Sequence, residues 1–102
     1  LTLPVTASDG RSAWHIYCVE VRDGGRADRR AVFDGLRAAG IGAAVHYFPV
    51  HLQPFYRARG FREGDFPAAE AYYRRTVTLP LYPGLTAQQQ AFVADTLRGL
   101  VA

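Results

Sequence analysis

Five of the six prolines fall between residues 49 and 83, at Pro49, Pro54, Pro67, Pro80 and Pro83. They limit what that stretch can become. Proline has no backbone N–H to give to a strand ladder and breaks a helix interior. Pro49 and Pro54 therefore make 49–54 a loop. Pro67, after Asp65 and Phe66, suits the first turn of a helix running to about Arg75, where the missing N–H costs nothing. Pro80 makes T-V-T-L-P-L-Y (76–82) either an edge strand or a strand that ends early. Pro83-Gly84 is a turn.

The remaining elements follow from periodicity. Residues 13–22, A-W-H-I-Y-C-V-E-V-R, are β-branched and aromatic with both faces mostly apolar. They predict a strand covered on both sides or crossing a sheet centre, ended by Asp23-Gly24-Gly25. Residues 28–39 predict a helix with Asp28 as cap and Val32, Phe33, Leu36 and Ala39 on one face. Gly40 stands at C′, so Ile41 can touch Leu36 in a Schellman arrangement. Residues 42–48 predict a second strand with a small-residue start (Gly42, Ala43, Ala44). A short helix near 54–59 ends at Gly60. Thr86 and Gln89 fit a capping box. The final helix carries Phe92, Val93, Leu97, Leu100 and Val101 on one stripe, expected to pack on the sheet. This order predicts an α/β (α+β) fold: a two-layer sandwich, with a small sheet and helices mainly on one face.

At 102 residues the chain is the size of one domain. No apolar run approaches the roughly 20 residues of a membrane span, and residues 1–10 lack the basic and apolar regions of a signal peptide. The lone Cys18 cannot form an internal disulfide and reads as a buried small hydrophobe. With nothing to indicate an oxidising compartment, a cytoplasmic location is expected. The net charge of +3 comes from arginine alone, because the chain has no lysine. It therefore cannot form a lysine Schiff base. Acids are interspersed with the arginine doublets, and no RNP-like run occurs, so no nucleic-acid partner is expected. His46 and His51 lie five residues apart across Pro49, and the remaining histidine and the lone cysteine are in the first strand, so the three or four ligands of a metal site are not expected. There is no G-x-S-x-G, no phosphate-binding G-x-G-x-x-G, and the only serines are Ser8 and Ser12.

What stands out is 46–56, H-Y-F-P-V-H-L-Q-P-F-Y, with two histidines, two prolines and four aromatic residues. Tyr and His offer an apolar body for stacking and a polar tip for hydrogen bonding. Such a surface suits a sugar or a base. The same rings can equally be packing residues, and composition does not separate the two.

A resemblance does. G-I-G-A-A-V-H-Y-F-P-V-H-L-Q-P-F-Y (40–56), then G-D-F-P-A-A-E (64–70), then L-P-L-Y-P-G-L-T (79–86) resemble, in this order, the C-terminal part of the DegT/DnrJ/EryC1/StrS aminotransferases. W-H-I-Y-C-V-E-V (14–21) is similar to the strand that opens that family's small domain. The resemblance covers about 12–101 and implies the small C-terminal domain of a fold type I, pyridoxal phosphate-dependent sugar aminotransferase. It further implies that residues 1–11 are a linker from a missing large domain and that 12–102 are the small domain. By the same resemblance the large domain holds the cofactor and its lysine, glutamate donates the amino group to a nucleotide-linked keto-sugar, and the enzyme is a homodimer. A chain that starts at Leu1 and lacks lysine is then expected to be part of a longer polypeptide and inactive alone. No catalytic residue is assigned. His46, Tyr47, Phe48, Pro49 and, in the adjacent V-H-L-Q-P, His51 are the expected substrate-binding residues. The rival reading is a stand-alone sugar-nucleotide binding module.

Overall fold

The computed structural model describes all residues, Leu1–Ala102. The first helix, α1 (Arg29–Ala38), starts where Asp28 accepts a 2.8 Å hydrogen bond from Ala31 N–H. This satisfies one of the donors that a helix start leaves unpaired. It stops by the expected device. Gly40 has φ of 78°, Gly40 N–H donates to Arg37 C=O, and Ile41 N–H donates to Leu36 C=O, each at 3.0 Å. Val32 and Leu36 are fully buried, each contributing about 1.5–3 kcal/mol of apolar burial. Phe33 is half-buried, while Ala39 faces solvent.

The sheet is smaller than the sequence suggests. Strand β1 (Tyr17–Glu20) pairs antiparallel with β2 (Thr76–Leu79), Tyr17 opposite Leu79 and Glu20 opposite Thr76. Residues 13–16 do not join: Trp14 takes a positive φ of 48° and His15 sits in a bend, so the predicted strand loses its first half. The predicted strand 42–48 is reduced to one bridge, Ala44 with Thr78. That bridge cannot grow either way. Towards Gly42 the next partner is Pro80, which has no N–H. Towards His46 it is Thr76, whose N–H is already bonded to Tyr72 C=O at the end of the preceding helix. Pro80 thus marks a strand that ends early, and β2 is interior at Thr78, not an edge. On the outer side of β1, Thr2 exchanges two 2.9 Å backbone bonds with Glu20, so the start of the lead belongs to the sheet margin.

Side chains alternate along a strand. Val19 and Val77, opposite each other and fully buried, enter a core shared with Val21, Val32, Leu36, Ile41, Ala43 and Leu97. Cys18 opposite Thr78 and Glu20 opposite Thr76 lie on the other face. The long helix α4 (Ala87–Val101) is opened by the capping box, with Thr86 and Gln89 bonded reciprocally. It packs chiefly on α1, not on the sheet as expected, and only Leu97 is fully in the core. Phe92, expected on the apolar stripe, is 54% exposed. The approach of the two helices depends on Gly35: a β-carbon there would lie 2.5 Å from Leu100 Cδ2.

Two short helices complete the fold. A 3₁₀ turn at Val50–Leu52 leads into α2 (Pro54–Arg57), and α3 (Pro67–Arg75) carries Pro67 in its first turn. Helix α3 passes into β2 with no residue between them. Arg75, the last of α3, holds Glu20 of β1 through Nη2 at 2.9 Å and Nε at 3.1 Å. The result is a small α+β fold, a two-stranded antiparallel sheet with four helices.

Candidate functional site

The segment 44–53 leaves the sheet at Ala44 and crosses to α3. Ala44 takes part in two backbone bonds with Thr78, its own N–H donating at 3.1 Å and Thr78 N–H donating at 2.8 Å. Two residues later, on the same side of the pleat, His46 Nδ1 lies 2.8 Å from Thr78 Oγ1. Thr78 Oγ1 also meets Cys18 Sγ at 3.2 Å. Cys18 is therefore half-buried and hydrogen-bonded, not simply a buried hydrophobe. The Tyr47 ring stands edge-on to His46 at 4.5 Å between centroids and is 66% exposed. Phe48 is 40% exposed and sets its edge against Tyr73 at 5.4 Å. Arg29 of α1 lies over the Tyr73 ring, 5.4 Å from its centroid. Pro49 is buried.

His51 is placed differently. It is buried, with Nε2 2.8 Å from Glu70 Oε1. The same carboxylate oxygen accepts a 2.8 Å bond from Gly64 N–H. The bond from His51, then that from Gly64, holds the Glu70 carboxyl below its ordinary range. One acid thus ties the 3₁₀ turn, the 61–66 loop and α3 together. Beside His51, an apolar groove of about 350 Å³ is lined by Val50, Tyr56, Phe61, Phe66 and Ala69.

Of the sequence-predicted residues, Tyr47 and Phe48 are exposed, His46 is half-buried against Thr78, Pro49 is buried, and His51 is engaged with Glu70. Sequence reasoning missed Thr78, Glu70 and Gly64. None had a legible cue: Thr78 shares its strand with a second threonine, Thr76, and nothing in the sequence tells the two apart. No cluster of three histidine, cysteine or acidic side chains is assembled. The chain does not by itself fit pyridoxal phosphate. It has no lysine for a covalent anchor, and the groove offers apolar walls where a phosphate needs cationic or N–H donors. No helix is long and apolar enough to cross a membrane.

This arrangement of sheet and helices is the small-domain fold of fold type I aminotransferases. The model of the DegT/DnrJ/EryC1/StrS aminotransferase family matches residues 1–98, and the chain belongs to that family. It is 38% identical to the spore coat polysaccharide biosynthesis protein SpsC of Bacillus subtilis, over 99% of this chain and 27% of SpsC. It is 39% identical to the dTDP-3-amino-3,4,6-trideoxy-alpha-D-glucose transaminase of Streptomyces venezuelae, over 94% of this chain and 24% of that protein. Among solved structures it matches Spr1654 of Streptococcus pneumoniae in its PLP form. There the TM-score is 0.88 and the identity 26%, over 97% of this chain and 26% of that one. The chain thus spans about a quarter of the length of the relatives it matches.

Proposed function

We propose that this chain is the C-terminal small domain of a pyridoxal phosphate-dependent aminotransferase that aminates a nucleotide-linked keto-sugar. In this reading residues 12–102 are the small domain and residues 1–11 lead in from a large domain. That large domain supplies the lysine and the cofactor, and the 102 residues alone do not transaminate. Glutamate is the amino donor, and the whole enzyme is a cytoplasmic homodimer. His46, Tyr47 and Phe48 form part of the substrate wall, with Pro49 and His51 fixing the segment that carries them.

The observation that supports the wall is the exposure of Tyr47. A large amphipathic ring stands out to solvent on a segment whose neighbours Pro49 and His51 are buried. Loops free to collapse bury such rings, whereas binding surfaces present them. In the full-length polypeptide, His46→Ala or Tyr47→Ala should raise KM for the nucleotide sugar about tenfold, the loss of one good hydrogen bond or stacked ring. KM for the amino donor should stay unchanged. Unchanged sugar KM in both variants would overturn the assignment.

A further inference from the structure

We infer that Thr78 is a positioning residue whose hydroxyl donates to His46 Nδ1 and fixes the imidazole as its Nε2–H form. The free edge of the ring is then a hydrogen-bond donor for an oxygen of the bound ligand. The inference rests on the reading of His46 as part of the substrate wall.

Thr78 is 5% exposed. Its hydroxyl has one proton to give and faces two partners, His46 Nδ1 at 2.8 Å and Cys18 Sγ at 3.2 Å. An imidazole nitrogen is a good acceptor, whereas thiol sulfur is a weak acceptor and a weak donor. The arrangement that uses each group best runs one way: Cys18 S–H to Thr78 Oγ1, then Thr78 O–H to His46 Nδ1. The reverse order would spend the hydroxyl proton on sulfur.

Geometry holds this order in place. Both backbone polar groups of Thr78 are bonded to Ala44, so the backbone bridge that positions the hydroxyl also positions His46 two residues further on. Threonine is β-branched, which restricts its rotation. His46 Nε2 has no hydrogen-bond partner in the chain and lies on the opposite edge of the ring from Nδ1. With Nδ1 occupied as an acceptor, Nε2 carries the proton. The wall therefore selects ligand oxygens that accept: a phosphate, carbonyl or hydroxyl oxygen.

The test is two-bond ¹H–¹⁵N correlation NMR of ¹⁵N-histidine-labelled chain at about pH 8.5, above the ordinary histidine range. His15 and His51 serve as internal references. His46 should show the Nε2–H pattern in the wild type and in Thr78→Ser, and a mixed pattern in Thr78→Val. An Nδ1–H pattern in the wild type, or an unchanged pattern in Thr78→Val, overturns the inference. The wild-type spectrum decides even if Thr78→Val fails to fold. In the full-length polypeptide, Thr78→Val should raise the sugar-nucleotide KM several-fold, approaching the effect of His46→Ala, with rescue by Thr78→Ser. If the tautomer is as inferred and His46→Ala leaves KM unchanged, His46 is not part of the wall and its positioning by Thr78 stands.

Discussion

Gly35 sits inside α1, where glycine is about 1 kcal/mol less favourable than alanine. The structure gives the reason for its presence. A β-carbon on Gly35 would stand 2.5 Å from Leu100 Cδ2, 2.9 Å from Cδ1 and 3.3 Å from Cγ. Leu100 is half-buried and packs against the core, so its methyls can retreat only by giving up contacts. Overpacking of this kind costs about 1–3 kcal/mol. Set against the helix-propensity gain, Gly35→Ala alone should destabilise by about 0–2 kcal/mol. In a Leu100→Ala background the obstacle is gone, and the same change should stabilise by about 1 kcal/mol. A double-mutant cycle by urea unfolding then reads a coupling of about 1–3 kcal/mol, well above the few tenths expected of independent sites. If Gly35→Ala stabilises equally in both backgrounds, α1 and α4 do not meet at this point, and the account of their packing is wrong.

Two further outcomes follow from the buried polar groups. Glu70 has a lowered pKa in the folded chain, so its contribution to stability is present above the ordinary carboxylate value of 4.5 and is lost as pH falls through the folded value. Urea midpoints measured from pH 6 to pH 3 should fall more steeply for the wild type than for Glu70→Gln, and equal slopes would count against the His51–Glu70–Gly64 lock. Thr76 Oγ1 is fully buried without a hydrogen-bond partner. Thr76→Val keeps the shape and removes the orphan, and should raise stability by about 1 kcal/mol in thermal or urea unfolding; a loss of that size would mean that the hydroxyl has a partner.

What could be read from the sequence was what short-range chemistry decides. Asp28 and Gly40 bound α1, Thr86 and Gln89 open α4, and each signal lies within a few residues of the backbone group it satisfies. The strands were less legible because a strand needs a partner. Residues 42–48 look extended, yet their pairing is limited by Pro80 and by the N–H of Thr76, which lie far along the chain. Phe92 fitted an apolar stripe that α4 does not bury. The proposed wall, His46 to Phe48, was singled out by residue type and motif, and two of its rings, Tyr47 and Phe48, stand exposed. Its supports, Thr78 and Glu70, were not legible, since a threonine in a strand and a glutamate in a helix carry no mark of the histidine each will meet.

Those two supports lie on one continuous piece of chain. Glu70 is in α3, Thr78 is in β2, and α3 runs into β2 without a joint. The segment from His46 to His51 is therefore an arch with an imidazole at each foot, both feet standing on the same rigid plinth. Neither foot can slide relative to the other unless α3 bends against β2. In the binding role proposed above, an arch so clamped would meet its ligand already in shape, with little ordering entropy left to lose on contact.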